Sequence, residues 1–397
     1  MFRDTTRGPG VMRRVGVAVV AGGWLLAIGA LVAERSGAPF WLQQTLAWPG
    51  FLWLALSIYL LLAVVAGEVV RPLLRRLLER RARPAADVRE PVPAGALPAP
   101  AEEPTPEEAP TTASSGTAER PAPPDPSRRL FVSRVVAGAG AAMAVGTVGY
   151  GTYGVLRGPR VKRVTVPLAK LPRGAHGYRI AVVSDIHLGP TLGRGFAQRV
   201  VDTINGTQPD IVAVVGDLVD GSVKDLGPAA APLSQLKAPA YFVTGNHEYF
   251  SGAEQWVEEV RRLGLLPLEN ARTELPWFDL AGVNDIAGES EGQGPDFTKA
   301  LGDRDTTRAC VLLAHQPVQI HDAVDHGVDL QLSGHTHGGQ LWPGNFVAEA
   351  ANPTVAGLER YGDTQLYVSR GAGAWGPPTR VGAPSDITVI ELASTRA

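Results

Sequence analysis

Residues 179–187 read RIAVVSDIH, an apolar run that ends on an acid and a histidine. Four later runs repeat this arrangement: DIVAVVGDLVD at 210–220, AYFVTGNHE at 240–248, CVLLAH at 310–315 and VDLQLSGHTHGG at 328–339. Stretches with apolar residues three and four positions apart, typical of amphipathic helices, separate most of the runs. Short strands alternating with helices predict an α/β domain, in which polar residues at the carboxyl ends of the strands converge.

The residues at the ends of these runs have side chains that bind metal ions. They are Asp185, His187, Asp217, Asn246, His315, His335 and His337. Carboxylate, amide and imidazole donors without a thiolate fit manganese, iron, zinc or nickel. Seven donors exceed the need of one ion, whereas two divalent ions bridged by one carboxylate would use them all and suit attack on phosphorus. Each motif alone is weak, but five in succession favour a metal site over structural histidines.

The ordered motifs resemble those of the calcineurin-like metallophosphoesterase superfamily over roughly residues 161–391. Three stretches are most similar to its membrane-associated bacterial branch, which includes twin-arginine-exported phosphodiesterases: DIHLGP at 185–190, GHTHGGQLWPGN at 334–345 and SRGAGAWGPPTRVGAPSDITVIEL at 369–392. The resemblance implies a four-layer α/β/β/α sandwich, with two β-sheets packed face to face and helices outside. Strands expected at 161–166, 365–369 and 387–392 would then belong to the second sheet.

The resemblance also implies roles for individual residues. The first ion would be held by Asp185, His187, Asp217 and His337, and the second by Asp217, Asn246, His315 and His335, with Asp217 as the bridge. A metal-activated hydroxide would attack phosphorus, His247 would act as general acid or transition-state stabiliser, and Asp220 would orient a ligand. Protein phosphatases of the superfamily continue GDxVD with Arg-Gly. This chain has Gly221-Ser222 there, which weakens the case for a phosphoprotein substrate.

Two apolar runs near the N-terminus predict a pair of membrane-spanning helices. Val15–Val32 and Phe51–Val70 are each about long enough to cross a bilayer. Arginines precede the first run and follow the second, so these basic flanks are expected in the cytoplasm and the loop at about 33–50 outside. Residues 1–83 are therefore expected to form a transmembrane hairpin with a basic cytoplasmic flank.

A linker and a third apolar segment follow this hairpin. Residues 84–127 are rich in Pro, Ala and Glu with almost no large apolar side chains, which predicts a disordered linker. Residues 128–157 begin with Arg128 and Arg129 and continue as a Gly/Ala-rich apolar stretch. This pattern resembles a twin-arginine signal anchor, and a plain third transmembrane helix is the alternative. Either interpretation predicts a multi-pass membrane protein with the metallophosphoesterase domain, 161–397, on the extracytoplasmic face.

Composition narrows the function further. The formal net charge of −2 provides no basic field for nucleic acid, so a nuclease of the same superfamily is disfavoured. The one cysteine, Cys310, excludes an intramolecular disulfide framework. We expect a membrane-anchored phosphoesterase that contacts the lipid bilayer and hydrolyses phosphodiester or pyrophosphate bonds of a lipid-linked or cell-envelope substrate. The alternative is a catalytically silent membrane scaffold or sensor with the same fold, which the complete set of metal-binding residues argues against.

Overall fold

The computed structural model describes residues 10–82 and 126–396. The helices are α1 (Val11–Arg35), α2 (Phe40–Ala82), α3 (Pro126–Leu156), α4 (Arg194–Thr207), α5 (Val223–Ala230), α6 (Asn246–Ser251), α7 (Ala253–Arg262), α8 (Phe297–Leu301), α9 (Ile320–Asp325) and α10 (Gly344–Ala351). The strands are β1 (Arg160–Leu168), β2 (Tyr178–Val183), β3 (Ile211–Val215), β4 (Ala240–Val243), β5 (Leu266–Pro267), β6 (Ala271–Glu274), β7 (Asp279–Gly282), β8 (Cys310–Leu313), β9 (Leu330–Ser333), β10 (Gly357–Tyr361), β11 (Thr364–Val368) and β12 (Asp386–Ser394). The predicted linker, 84–127, lies outside the described residues except for its last two positions.

Three helices ahead of the α/β domain are long and apolar enough to cross a membrane. The candidate spans are Arg13–Arg35 in α1, Phe40–Leu74 in α2 and Leu130–Leu156 in α3. The prediction of apolar helices before the catalytic domain is therefore confirmed. Their crossing of a membrane and the direction of that crossing stay predictions.

The loop predicted at about 33–50 is mostly helical, so that boundary was wrong. Only residues 36–39 connect α1 to α2. Ala47 of α2 packs in one apolar cluster with Ala30 of α1, and the Gln43 amide donates a hydrogen bond of 2.7 Å to the Ala38 carbonyl oxygen. These contacts with α1 and the connecting residues allow the second helix to begin at Phe40, ahead of its most apolar run. Hydropathy alone does not reveal this earlier start.

Two six-stranded sheets form the α/β domain. The first has the strand order β1-β12-β2-β3-β4-β5, and the second has the order β10-β11-β9-β8-β7-β6. Strands β2, β3 and β4 are parallel neighbours, and β7, β8 and β9 are parallel neighbours in the other sheet. Parallel pairing brings the carboxyl ends of neighbouring strands to the same edge of each sheet.

Three apolar cores stack these sheets into four layers. Ile180 of the first sheet and Leu332 of the second contribute to the core between the sheets. Val183 on the outer face of the first sheet shares a core with Phe196 of α4. Leu312 on the outer face of the second sheet shares a third core with side chains of α8 and α9. The predicted four-layer α/β/β/α sandwich is confirmed.

The sheet predicted for two strands was wrong. β1 and β12 lie in the first sheet, where β12 pairs with β1 on one side and with β2 on the other, whereas β11 lies in the second sheet as expected. Val166 of β1 and Ile390 of β12 lie in the core between the sheets. Strands of either sheet contribute side chains to this core. The apolar pattern therefore identifies the strands without identifying their partners.

Candidate metal centre

The polar clusters of both sheets meet at one edge of the sandwich. Strands β2, β3 and β4 of the first sheet and β8 and β9 of the second sheet each end where a cluster begins. The structure brings together Asp185, His187, Asp217, Asp220, Asn246, His247, His315, His335 and His337. The residues chosen from the sequence as ligands, acid and orienting group are therefore neighbours in space.

The chain leaves these strands in a backbone conformation that side chains disfavour. The φ angle is 51° at Asp185, 47° at His187, 52° at Asp217, 70° at His335 and 54° at His337. Left-handed backbone costs roughly 1–2 kcal/mol for a residue with a Cβ atom. Such residues concentrate at functional sites, where the surrounding structure holds them in place.

Two glycines allow the loops to approach one another closely. A Cβ atom at Gly245 would overlap the carboxylate of Asp217, and one at Gly216 would overlap the ring of His315. Gly216 also has a positive φ of 72°. Both positions therefore need glycine if the donor groups are to reach their places.

A first donor cluster contains four buried residues, and their possible ligand atoms all lie within 4.8 Å of one another: Asp185, His187, Asp217 and His337. The Nε2 atom of His187 lies 3.0 Å from the Nε2 atom of His337. The same His337 atom lies 3.4 Å from Oδ1 of Asp185. Oδ2 of Asp217 lies 3.7 Å from Nε2 of His187.

A second donor cluster contains Asp217, His315 and His335. Nε2 of His315 lies 3.2 Å from Oδ2 of Asp217, the oxygen that also faces His187. Asn246 joins this cluster because its Oδ1 atom lies 3.0 Å from Nδ1 of His335. One oxygen of Asp217 therefore lies between the two clusters.

The hydrogen bonding of His315 indicates whether a cation fits between the two donor clusters. Its Nδ1 atom lies 2.8 Å from the carbonyl oxygen of Val215, which requires the ring proton on Nδ1. Its buried Nε2 atom has no hydrogen-bond partner among the described residues and faces a carboxylate oxygen of Asp217. A cation between these lone pairs would satisfy both, since a nitrogen and an oxygen donor bound at about 2.1 Å to one ion lie roughly 3.0–3.4 Å apart.

The charge states of His335, His337 and Asp217 also suit a cation. Burial lowers the pKa of His335 to about 4 and that of His337 well below its ordinary value, which leaves neutral imidazoles. Burial opposes ionisation of Asp217, but the surrounding histidines hold its pKa well below the usual range. Burial raises the pKa of Asp185, a penalty that a bound cation would offset. Burial opposes protonation of His315, but the carboxylates of Asp217 and Asp185 raise its pKa well above the usual range, and a bound cation would displace that proton.

Asp220 connects the first cluster to His247. Its Oδ1 atom accepts hydrogen bonds from Nδ1 of His187 at 2.9 Å and from Nδ1 of His247 at 2.7 Å. Burial opposes the charged forms, but this pairing outweighs it, raising the pKa of His247 to about 9 and lowering that of Asp220 to about 2. The His247 side chain is 15% exposed and so can meet a substrate.

Glu248 supports the site in a way that the sequence did not identify. The side chain is buried, and its Oε2 atom accepts hydrogen bonds from the backbone N–H groups of Gly245 at 2.6 Å and Asp217 at 3.0 Å. Its Oε1 atom accepts one from Leu218 at 2.8 Å. One carboxylate therefore ties the loop after β3 to the loop after β4.

Arg380 supports the other side of the site and was also not predicted. The buried guanidinium donates from Nη1 to the carbonyl oxygen of His337 at 3.0 Å and from Nε to that of Gly373 at 2.6 Å. Its Nη2 atom lies 3.2 Å from Nδ1 of His337. The arginine thus holds the His337 turn against the loop before β12, and its place in the 369–392 motif was the available signal.

Comparison with known proteins agrees with this geometry. Residues 178–339 match the model of the calcineurin-like phosphoesterase family. A transmembrane protein with metallophosphoesterase domain from Danio rerio is 41% identical over 260 residues, which cover 61% of this chain and 59% of the relative. An uncharacterized metallophosphoesterase from Aquifex aeolicus is 34% identical over 240 residues, which cover 59% of this chain and 91% of the relative. The uncharacterized metallophosphoesterase YkuE of Bacillus subtilis is 30% identical over 285 residues, which cover 68% of this chain and 98% of the relative.

The matched region is thus nearly the whole of the two shorter bacterial relatives. By contrast, the chain covers less than two thirds of the length of the first vertebrate relatives it matches, 59% for Danio rerio and 57% for Bos taurus.

Replacing Asp217 with Asn should reduce binding at both donor clusters, because a neutral amide would stand where one anionic oxygen faces both. We expect the purified Asp217→Asn protein to hold fewer than one metal ion per chain by elemental mass spectrometry. Asp185→Asn is the matched control and should lose metal from the first cluster only. Two ions retained in Asp217→Asn would contradict the shared position.

Replacing Glu248 with Gln should destabilise the loops, because an amide N–H₂ would face backbone N–H donors. We expect a loss of about 1–3 kcal/mol in the free energy of unfolding, measured on metal-free protein so that ligand loss does not contribute. Glu258→Gln on the exposed face of α7 is the control and should be neutral. Equal unfolding midpoints for the two variants would show that the three hydrogen bonds of Glu248 contribute little.

Proposed function

We propose that this chain, which belongs to the calcineurin-like phosphoesterase family, is a metal-dependent phosphoric ester hydrolase that acts on phosphodiester or pyrophosphate bonds while anchored in a membrane. The substrate would be a lipid or another component of the cell envelope. The observation that carries the proposal is the Asp217 carboxylate between two donor clusters, in a chain with three helices able to span a bilayer.

Two divalent ions fit the centre. One would be held by Asp185, His187, Asp217 and His337, and the other by Asp217, Asn246, His315 and His335. When bound, they would supply activation of water and neutralisation of charge on the phosphoryl oxygens. Manganese, iron, zinc and nickel all suit this mixture of nitrogen and oxygen donors.

His247 is the residue proposed to act on the leaving group. It lies outside both ligand sets, and the hydrogen bond from its Nδ1 to Asp220 leaves Nε2 available for a substrate oxygen. Its backbone N–H donates to Oδ1 of Asp217 at 2.9 Å, so the backbone of His247 is fixed against the carboxylate that both clusters share. A histidine in this position can give a proton to the departing oxygen as general acid.

The proposed orientation rests on the arginines that flank the first two apolar helices and on the number of crossings, because basic residues lie on both sides of the third helix. Arg13 and Arg14 precede the apolar part of α1, and Arg75 and Arg76 follow that of α2. The positive-inside rule places both ends in the cytoplasm. The third span would then cross outward and deliver β1 to the extracytoplasmic face.

Replacing His247 with Ala should leave metal content nearly intact and reduce turnover by about 10²–10⁴-fold. The loss should be larger for an alkyl phosphodiester than for bis(p-nitrophenyl) phosphate, because p-nitrophenolate departs without protonation. His326→Ala is the control, since that histidine hydrogen-bonds to the backbone of α9 away from the centre. Equal losses on the two esters would assign His247 to stabilising the transition state instead, and lost metal would make it a ligand.

Orientation can be measured with alkaline phosphatase, a reporter that is active only outside the cytoplasm. A fusion after Ala397 should be active, and a fusion after Ala82 should be silent because two crossings return the chain to the cytoplasm. The two fusion points lie on opposite sides of the third span, so together they report the direction of that crossing. The opposite pattern would place the catalytic domain in the cytoplasm.

A further inference from the structure

A cavity of about 610 Å³ lies between the metal centre and the N-terminal helices. One wall carries Asp220 and His247, and the other wall carries Leu31 of α1 with Phe51 and Leu54 of α2. This space is the membrane-side cleft. A molecule that fills it would contact the proposed general acid and two candidate membrane spans at the same time.

The helix wall of the membrane-side cleft is apolar and belongs to segments able to cross a bilayer. Leu31 falls in the candidate span Arg13–Arg35, and Phe51 and Leu54 fall in Phe40–Leu74. In a membrane, lipid chains surround such segments. The wall therefore suits the hydrocarbon part of an amphiphile better than it suits a small water-soluble ester.

The same cleft becomes charged at the end of α1. Glu34 and Arg35 line it and are the last two residues of the helix. Glu34 lines the same cavity as Asp220 and His247, which places this end of the helix beside the reacting groups. Leu31 and Arg35 are separated by about 6 Å along the helix axis. An apolar surface next to a guanidinium matches a lipid chain joined to an anionic phosphate.

Two exposed aromatic rings lie beside His247 in the lining of the cleft. The ring centroids of Phe250 and Trp375 lie 5.5 Å and 5.8 Å from that of His247, and both residues line the cleft. Phe250 is 74% exposed and Trp375 is 49% exposed. Aromatic side chains exposed beside apolar helices are typical of the membrane–water interface.

Direct contacts hold the metal-binding loop against the second helix. Tyr59 donates a hydrogen bond of 3.1 Å to the carbonyl oxygen of Trp342, which closely follows the His335–Gly339 turn. Leu341 packs against the apolar cluster that includes Ala55 and Tyr59. The helices and the metal-binding loops therefore form one packed unit, and the cleft between them is a built part of the fold.

We propose that the membrane-side cleft admits a phosphate-bearing lipid from the bilayer, with its phosphate beside His247 and its chain against Leu31 and Leu54. This proposal rests on the hydrolase function above and specifies its substrate class. Water supplies the oxygen of the new bond to phosphorus and releases a proton to solvent. The bond from phosphorus to the leaving oxygen breaks, and that oxygen takes its proton from His247.

The test uses the full-length protein in dodecyl maltoside, a detergent without phosphate, and pairs of substrates that share a headgroup and differ in the size of the apolar chain. The pairs are dioleoyl against dibutyryl phosphatidylglycerol, and farnesyl diphosphate against dimethylallyl diphosphate. At least one long-chain member should be hydrolysed with kcat/KM about tenfold or more above its short partner, since each buried methylene contributes severalfold. The pair that shows the preference distinguishes a glycerolipid diester from a prenyl diphosphate.

A bulky side chain in the cleft should reduce this preference. Leu31→Trp narrows the cleft, and we expect the ratio of long-chain to short-chain kcat/KM to fall about tenfold with the methylenes no longer buried. Leu25→Trp is the matched control on the same helix, because Leu25 is 71% exposed and lies outside the cleft. That variant should keep the ratio of the unmodified protein.

Bis(p-nitrophenyl) phosphate, included in every assay, separates two kinds of failure. Metal-dependent turnover of this ester without a long-chain preference in either pair would overturn the lipid proposal and leave the hydrolase intact. The same holds if Leu31→Trp and Leu25→Trp give equal ratios. No metal-dependent turnover of any ester would overturn the proposed function, and the lipid proposal with it.

Discussion

The buried carboxylate of Asp217 is the group on which the rest of the centre depends. Its Oδ2 atom faces His187 of one donor cluster and His315 of the other, and its Oδ1 atom accepts the backbone N–H of His247. An isolated ionised carboxylate in a protein interior costs several kcal/mol unless other groups compensate for it. The compensation here comes from loops of both sheets, which explains why a sandwich of two sheets builds the site.

The need to compensate the charge of Asp217 also accounts for the left-handed backbone of the loops and for the residues that hold these loops in place. Five candidate ligands have left-handed backbone, which persists only because the surrounding structure holds it. Glu248 fastens the loops of the first sheet through three backbone hydrogen bonds, and Arg380 fastens the His337 turn of the second sheet. The loop after β9 in turn contacts α2 through the hydrogen bond from Tyr59 to the Trp342 carbonyl oxygen. The loop that carries His335 and His337 therefore also fixes the side of the α/β domain that faces the helices.

The sequence predicted the features that a local pattern can report. Each donor stood at the end of an apolar run, and parallel strands bring such ends together, so an α/β domain and the cluster from Asp185 to His337 could be inferred from the pattern. The four-layer sandwich was implied by the family resemblance. Glu248 could not be assigned, because nothing local distinguishes a buried glutamate with three backbone donors from a solvated one. Neither could the sheet partner of β12, whose alternating apolar residues suit either sheet. The position of Leu31 in the membrane-side cleft depends on packing between segments distant in sequence, and residue spacing does not report such packing.

Electron paramagnetic resonance of the manganese-loaded full-length protein can show whether two metal ions share Asp217. Two ions joined by one carboxylate are close enough for their spins to couple, so we expect an exchange-coupled spectrum. The signal should appear at full intensity only when both ions per chain are present. A spectrum of isolated, uncoupled manganese at full loading would contradict this expectation, because the donor clusters would then not share a ligand.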